Sequence, residues 1–194
     1  MKVALIGCDG FVGNFIKLGL LKTANESIFV NRENYNKHVS DTFDIVINAA
    51  MPSKRFWAKK NPKLDHVETV EKTEKIINEW KFDKLIQISS VSARCQPNTT
   101  YGKNKSKSEQ LCKKLDKYLI LRLGPMYGPT LSKGVLLDLK QNKEVFVSGK
   151  SKYSFTDIEW IGNWISLNLD KEGLCEIGAS DFVTLSDLAK KINS

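Results

Sequence analysis

Tyr101 and Lys105 stand four residues apart in the segment Tyr101-Gly102-Lys103-Asn104-Lys105. On a helix that spacing puts both side chains on one face, a turn apart. An ammonium beside a phenol favours the phenolate and lowers its pKa from about 10. An oxidised nicotinamide ring would lower it further. Such a pair can exchange a proton with the oxygen of an alcohol or ketone while hydride moves to or from a nicotinamide. Ser90 closes the apolar run before it and offers a hydroxyl to hold the same oxygen. Tyr-x-x-x-Lys alone is common by chance in a lysine-rich chain, so its weight comes from what surrounds it.

The chain opens on a short apolar run, residues 3–6, that passes straight into Gly7-Cys8-Asp9-Gly10-Phe11-Val12-Gly13. In a GxxGxxG loop one glycine permits a tight turn, another lets the backbone approach a pyrophosphate, and a third lets helix and strand pack closely. The helix that follows presents free N–H groups and a partial positive charge to the phosphates. Gly7, Gly10, Phe11, Val12 and Gly13 are the expected dinucleotide contacts. The residue after the second strand selects the coenzyme, and here the chain has Asn31-Arg32, with no carboxylate before Glu33. Asn31 carries no charge to repel a 2′-phosphate and Arg32 can form a fork with one. That favours NADP, with NAD second.

The elements needed to position these groups alternate along the chain. Short apolar runs at 3–6, 28–30, 43–48, 84–89 and 119–123 predict strands. Helical spacing predicts helices over 13–22, 65–80 and 101–117, with Val67, Val70, Ile76 and Ile77 marking the inner face of the second. This pattern gives an α/β fold of the Rossmann type, a doubly wound parallel sheet covered on both faces. Residues 1–124 are expected to form the dinucleotide-binding core. Residues 125–194 begin in a Pro/Gly-rich loop and are expected to supply the remaining sheet elements and a small, truncated substrate-side cap. There the pattern predicts helices over 131–141, over 158–169 and from 184, and strands over 145–147 and 174–177.

Composition sets the outer limits. Hydrophobic residues make up 41% of the 194 and charged residues 27%, which suits a folded globular chain. Thirty basic against 22 acidic residues leave a formal charge of +8, favouring anionic partners. Cys8, Cys95, Cys112 and Cys175 form no CxxC pair, which argues against zinc and a disulfide framework and for a cytoplasmic protein with reduced thiols. His38 and His66 lie apart, so no metal site is expected. No apolar run approaches the roughly 20 residues that span a bilayer, and the first apolar stretch is too short for a secretory signal. Lys103, Lys105, Lys107, Lys113, Lys114 and Lys117 crowd one segment. Without an aromatic stacking platform they read as a solvated face, not a nucleic-acid footprint.

Taken together, these motifs resemble the short-chain dehydrogenase/reductase superfamily, in its extended nucleotide-sugar epimerase/dehydratase branch, over almost the whole chain. Gly7 to Gly13 is similar to its glycine loop. Ile45-Val46-Ile47-Asn48-Ala49-Ala50 is similar to the strand that passes beneath the coenzyme riboses. Ile88-Ser89-Ser90 resembles the catalytic serine strand, with Ser90 in the active position, and Tyr101 and Lys105 match the Tyr/Lys pair. Leu121-Arg122-Leu123-Gly124-Pro125-Met126 resembles the segment lining the nicotinamide. The resemblance thus implies coenzyme contacts at Ala49, Ala50, Ser89, Tyr101, Lys105, Gly124, Pro125 and Met126. It also exposes departures. The family's third strand is missing or reduced between residue 30 and Phe43. Thr69 stands where the family has an active-site asparagine, and Tyr153 where an arginine often grips the substrate diphosphate.

The expected function is hydride transfer at a hydroxyl or keto group of a sugar nucleotide or similar small molecule. Tyr101 would be the acid/base, Lys105 its electrostatic partner and ribose anchor, and Ser90 the orienting hydroxyl. A homodimer is expected, and neither a nucleic-acid nor a membrane partner. The alternative is an NADP-binding sensor without turnover.

Overall fold

In the computed structural model, which describes residues 1–192, the apolar run after Lys2 forms strand β1 (Lys2–Ile6), with Val3, Ala4 and Leu5 fully buried. Helix α1 (Phe11–Leu20) follows, then β2 (Glu26–Val30), a single turn α2 (Tyr35–His38) and β3 (Thr42–Asn48). Next come α3 (Arg55–Lys60), α4 (Pro62–His66), a π-helical turn over Val67–Glu71, and α5 (Lys72–Glu79). Then follow β4 (Lys81–Ser90), α6 (Ser92–Cys95), α7 (Thr100–Cys112) and β5 (Tyr118–Leu123). The remainder is β6 (Met126–Tyr127), α8 (Val135–Lys140), β7 (Lys152–Tyr153), β8 (Thr156–Asp157), α9 (Ile158–Leu167), β9 (Gly173–Ile177), β10 (Val183–Thr184) and α10 (Leu185–Ile192).

Six strands form the main sheet in the order β2-β1-β3-β4-β5-β9, every pair parallel. The chain leaves β1 for β2 on one side and returns to β3 on the other. The strand order therefore reverses between β1 and β3, and a ligand crevice opens at the carboxyl ends of such strands. One face of the sheet packs Val3, Leu5, Ile45, Ile47, Ile86 and Leu121 under α1 and α9. The other packs Ala4, Val46, Leu85 and Ile120 against Ile76, Trp80 and Cys112. α1 and α9 touch closely because Gly19 and Gly162 meet there: a Cβ on Gly162 would lie 2.3 Å from the Phe15 carbonyl.

The doubly wound sheet expected from the sequence is present, and it ends at β2. There is no room for a further strand and helix: α2 alone links β2 to β3. Several boundaries differ from the pattern. Helix α7 stops at Cys112, not 117, because the chain turns through Lys113 toward β5. Residues 145–147 form no strand: Phe146 is 79% exposed, and the small sheet of this region instead pairs β7 with β10. The inner face over 65–80 is also different. Asp65, Thr69, Thr73 and Ile76 point inward and Val67 is 36% exposed, since the π turn shifts the register of the first half and that end faces polar neighbours.

Candidate active site

Gly7 ends β1 with a φ of +85°, the left-handed region that favours glycine, and a Cβ there would lie 2.7 Å from the Ala50 backbone. The loop can therefore close on the end of β3. Gly13 is the tighter constraint, because its Cβ would come within 2.0 Å of the Gly7 carbonyl oxygen. At Gly10 the Cβ would meet only that oxygen, at 3.3 Å, so its outer side is open. No side chain caps α1 at Gly10, and the first turn carries no acid. The N–H groups of that turn are thus left to an anionic ligand. Phe11, Val12, Ala49 and Met126 all pack at the rim of the same core cluster, which brings the glycine loop, the end of β3 and the end of β5 together. This cradle fits a dinucleotide.

Beneath it a buried polar relay fixes the end of β3. Asn48 Nδ2 donates to Gln87 Oε1 at 3.0 Å, Gln87 Nε2 donates to Thr73 Oγ1 at 3.1 Å, and the Ala50 amide donates to Asn48 Oδ1 at 3.2 Å. At the outer rim Asn31 is fully engaged. Its Nδ2 donates to Asp9 Oδ2 at 3.2 Å and its Oδ1 accepts from the amides of Glu33 and Asn34. Arg32 is exposed and in no ion pair among the described residues.

Ser89 and Ser90 end β4. The Ser89 hydroxyl donates to Glu109 Oε1 at 2.6 Å, so it is committed to the protein interior. Glu109 also receives Arg122 Nη2 at 2.6 Å, and Arg122 reaches on to Glu176 at 3.1 Å, which holds Arg94 in a two-point fork. This chain of charges ties α7, β5 and β9 below the site. Gly124 donates to the Ile177 carbonyl at 3.0 Å and the Pro125 carbonyl accepts from Thr156 at 3.0 Å, which sets the segment after β5 beside β8.

Ser90 Oγ accepts from the Ser92 amide at 3.2 Å, and its hydroxyl acts on the Tyr101 phenol, favouring the phenolate. Thr99 caps α7, accepting from the Gly102 amide at 3.0 Å, and so fixes the turn that carries Tyr101. Gly102 lets this turn press on α6: a Cβ would lie 2.1 Å from the Gln96 carbonyl oxygen. Tyr101 is 7% exposed and Lys105 3%. The Lys105 ammonium lies over the Tyr101 ring, 5.5 Å from its centroid.

The electrostatics differ from the simple pair. Burial pushes the Tyr101 phenol up, and the groups that pull it back are the Ser90 hydroxyl and the Arg55 guanidinium, not Lys105. The reason lies in Lys105 itself. Burial draws its pKa down to about 7, against the opposing pull of Asp65, so at neutral pH it carries only part of a charge. It sits at the ring face, where a cation interacts with the π system.

Asp65 is the residue that sequence reasoning missed. It is fully buried, its Oδ2 accepts from Asn104 Nδ2 at 2.7 Å, and its Oδ1 has no partner among the described residues. Its charge acts on both Tyr101 and Lys105. The signal was available: Asp65, Thr69 and Thr73 recur every four residues, which marks one helix face. Thr69 Oγ1 is likewise buried without a partner among the described residues. No metal cluster occurs among the described residues, and no helix among them is long and apolar enough to cross a membrane.

No protein-family model matches the chain, and no curated protein matches it. Solved structures do. A dTDP-4-dehydrorhamnose reductase from Clostridium acetobutylicum superposes with a TM-score of 0.82 at 18% identity, covering 99% of this chain and 79% of that one. UDP-glucose 4-epimerase from Thermotoga maritima, solved with UDP-glucose, gives 0.81 at 17% identity over 100% of this chain and 82% of that one. RMD from Pseudomonas aeruginosa, solved with NADPH, gives 0.79 at 14% identity over 97% and 80%. At these identities the likeness is one of architecture: the chain is built on the fold of the extended short-chain dehydrogenase/reductase enzymes.

Proposed function

We propose that the protein is an NADP-dependent oxidoreductase or epimerase acting on a hydroxyl or keto group of a sugar nucleotide or similar small molecule. The observation that carries this reading is the buried Tyr101 with the Lys105 ammonium 5.5 Å from its ring centroid on one face of α7, and with the Ser90 hydroxyl at the carboxyl end of β4 favouring its phenolate. The glycine cradle of Gly7, Gly10 and Gly13 would hold the diphosphate on the N–H groups of Phe11, Val12 and Gly13. Ala49, Ala50, Gly124, Pro125 and Met126 would line the path to the reactive ring, and the Ser89 backbone would border it. When bound, the coenzyme supplies or accepts the hydride.

The protein's own part is the proton. Ser90 donates a hydrogen bond that fixes the substrate oxygen beside the Tyr101 hydroxyl. Tyr101 passes its proton to that oxygen as negative charge develops, or removes it in the reverse direction. Arg55 and Ser90 favour the phenolate, opposing the burial that makes it costly. Lys105 anchors the coenzyme ribose, and a protonated Lys105 would add to the stabilisation. Arg32, exposed and unpaired among the described residues, supports NADP over NAD through a 2′-phosphate fork.

Tyr101→Phe tests the assignment. The variant is expected to fold and bind NADPH as before, while turnover of 4-keto sugar nucleotides, followed by nicotinamide absorbance, falls by about 10²- to 10⁴-fold. Turnover near the wild-type rate would remove Tyr101 from the mechanism. NADPH binding without turnover of any such substrate by the wild type would favour a sensor.

A further inference from the structure

The loops on either side of Tyr101 carry cations that the coenzyme cradle does not use. Lys54 and Arg55 open α3, which packs against α7. Lys133, in the loop before α8, is half-buried, and its ammonium donates to Ser53 Oγ, tying that loop to the one before α3. None of Lys54, Arg55, Lys105 and Lys133 is in an ion pair among the described residues. Of the carboxylates whose charge reaches Lys105, Glu109 is bound to Arg122 and Ser89, and Asp65 accepts from Asn104. Asp65 and Glu109 thus offset part of the Lys105 charge, while among the described residues the only charge that acts on Lys133 is the like charge of Lys54.

We propose that Lys54, Arg55 and Lys133 form an oxyanion subsite beside Tyr101, selecting a substrate that bears a phosphate or carboxylate close to its reacting carbon. The inference rests on Tyr101 being the acid/base, and it names the class of substrate.

Two physical points support it. Like charges gathered without counter-ions raise the energy of the folded chain, and Lys133 shows the strain: burial first, then Lys54, draws its pKa down to about 8. Such a cluster is relieved when an anion enters, which is how perturbed groups come to mark binding sites. The cluster is also near the chemistry. The Arg55 charge acts on Tyr101 and the Lys133 charge acts on Lys105. An oxyanion held there would therefore lie within reach of the charges that act on the Tyr101–Lys105 pair. A guanidinium with two ammonium groups also supplies both the planar fork and the point charges that oxyanions accept.

Amide NMR of the full chain tests this, with inorganic phosphate in one titration and acetate in the other, at constant ionic strength set by chloride. The expected result is saturable movement of the Ser53, Arg55 and Lys133 signals. Lys133→Met and Arg55→Gln should each weaken that binding about tenfold, with their spectra otherwise folded. Tighter phosphate assigns a phosphorylated substrate, and tighter acetate a carboxylate. Anions that move only the amides of residues 7–13, or that bind both variants as well as wild type, would overturn the subsite. NADPH titrations of the same samples keep the two readings apart. Arg32→Ala, at an exposed position, should weaken NADPH and keep the oxyanion response, so loss of coenzyme binding in the wild type would sink the enzyme reading alone.

Discussion

Replacing Lys105 by methionine is expected to make the protein more stable while removing its chemistry. The side chain is 3% exposed, and burial draws the ammonium from its ordinary 10.5 to about 7. In the unfolded chain the same amine keeps its proton up to its ordinary pKa. Between those two values the unfolded state binds a proton that the folded state refuses, so stability rises with pH. At about 1.36 kcal/mol per pH unit, the deficit is about 4 kcal/mol at pH 7 and about 2 kcal/mol at pH 9, and it vanishes above the unfolded value. Methionine retains the apolar stem and carries no proton to lose. Urea unfolding of the coenzyme-free proteins at both pH values is the assay. The variant should be the more stable at pH 7, and its lead should roughly halve at pH 9. A variant weaker than wild type at pH 7, or a lead that does not shrink with rising pH, would refute the argument. Lys105 would then be a well-paired ammonium with a near-ordinary pKa, and its retention would need no functional reason.

Glu109→Gln breaks the interior pair with Arg122, whose partners are 2% and 14% exposed, and should cost about 3 kcal/mol in urea unfolding while NADPH affinity holds; a loss below 1 kcal/mol would demote the charge chain to ornament. Gly13→Ala forces a methyl to within 2.0 Å of the Gly7 carbonyl oxygen, so a loss of about 2–5 kcal/mol in melting experiments is expected; a wild-type melting temperature would contradict the loop geometry. Arg32→Ala should weaken NADPH about tenfold or more and leave NADH unchanged, as read by nicotinamide fluorescence; equal effects on both would detach Arg32 from the 2′-phosphate.

The parts legible in the sequence are those where one physical rule acts alone. Residues 3–6 and 43–48 are apolar runs bounded by turn residues, and both became central strands. Gly7 and Gly13 announced themselves by spacing because backbone approach tolerates no other side chain. Tyr101 and Lys105 followed from helix geometry. What stayed hidden depended on neighbours distant in the chain. Glu109 looks like any surface glutamate until Arg122 and Ser89 come to it from two strands. Asp65 shares a helix face with Thr69 and Thr73, yet it sits among Lys59, Lys60 and Lys63, and that charged surrounding masks the signal. The charge state of Lys105 could not be read either, since burial outweighs the partners that sequence spacing suggests. The expected strand over 145–147 failed because apolar content says nothing of whether a partner strand is within reach.

The sheet's stop at β2 bears on how long a coenzyme would stay. Its adenine end would lie against the outermost strand, with water beyond instead of another layer of chain, and little apolar area would leave solvent there. Grip would come mainly from the diphosphate at the centre of the dinucleotide and from Arg32 on its 2′-phosphate, so departure would be quick. An active site that returns the hydride to the same sugar gains from a permanently lodged nucleotide. One that spends a reduced nucleotide in every cycle gains from a loose one, and an open-edged floor suits the second economy.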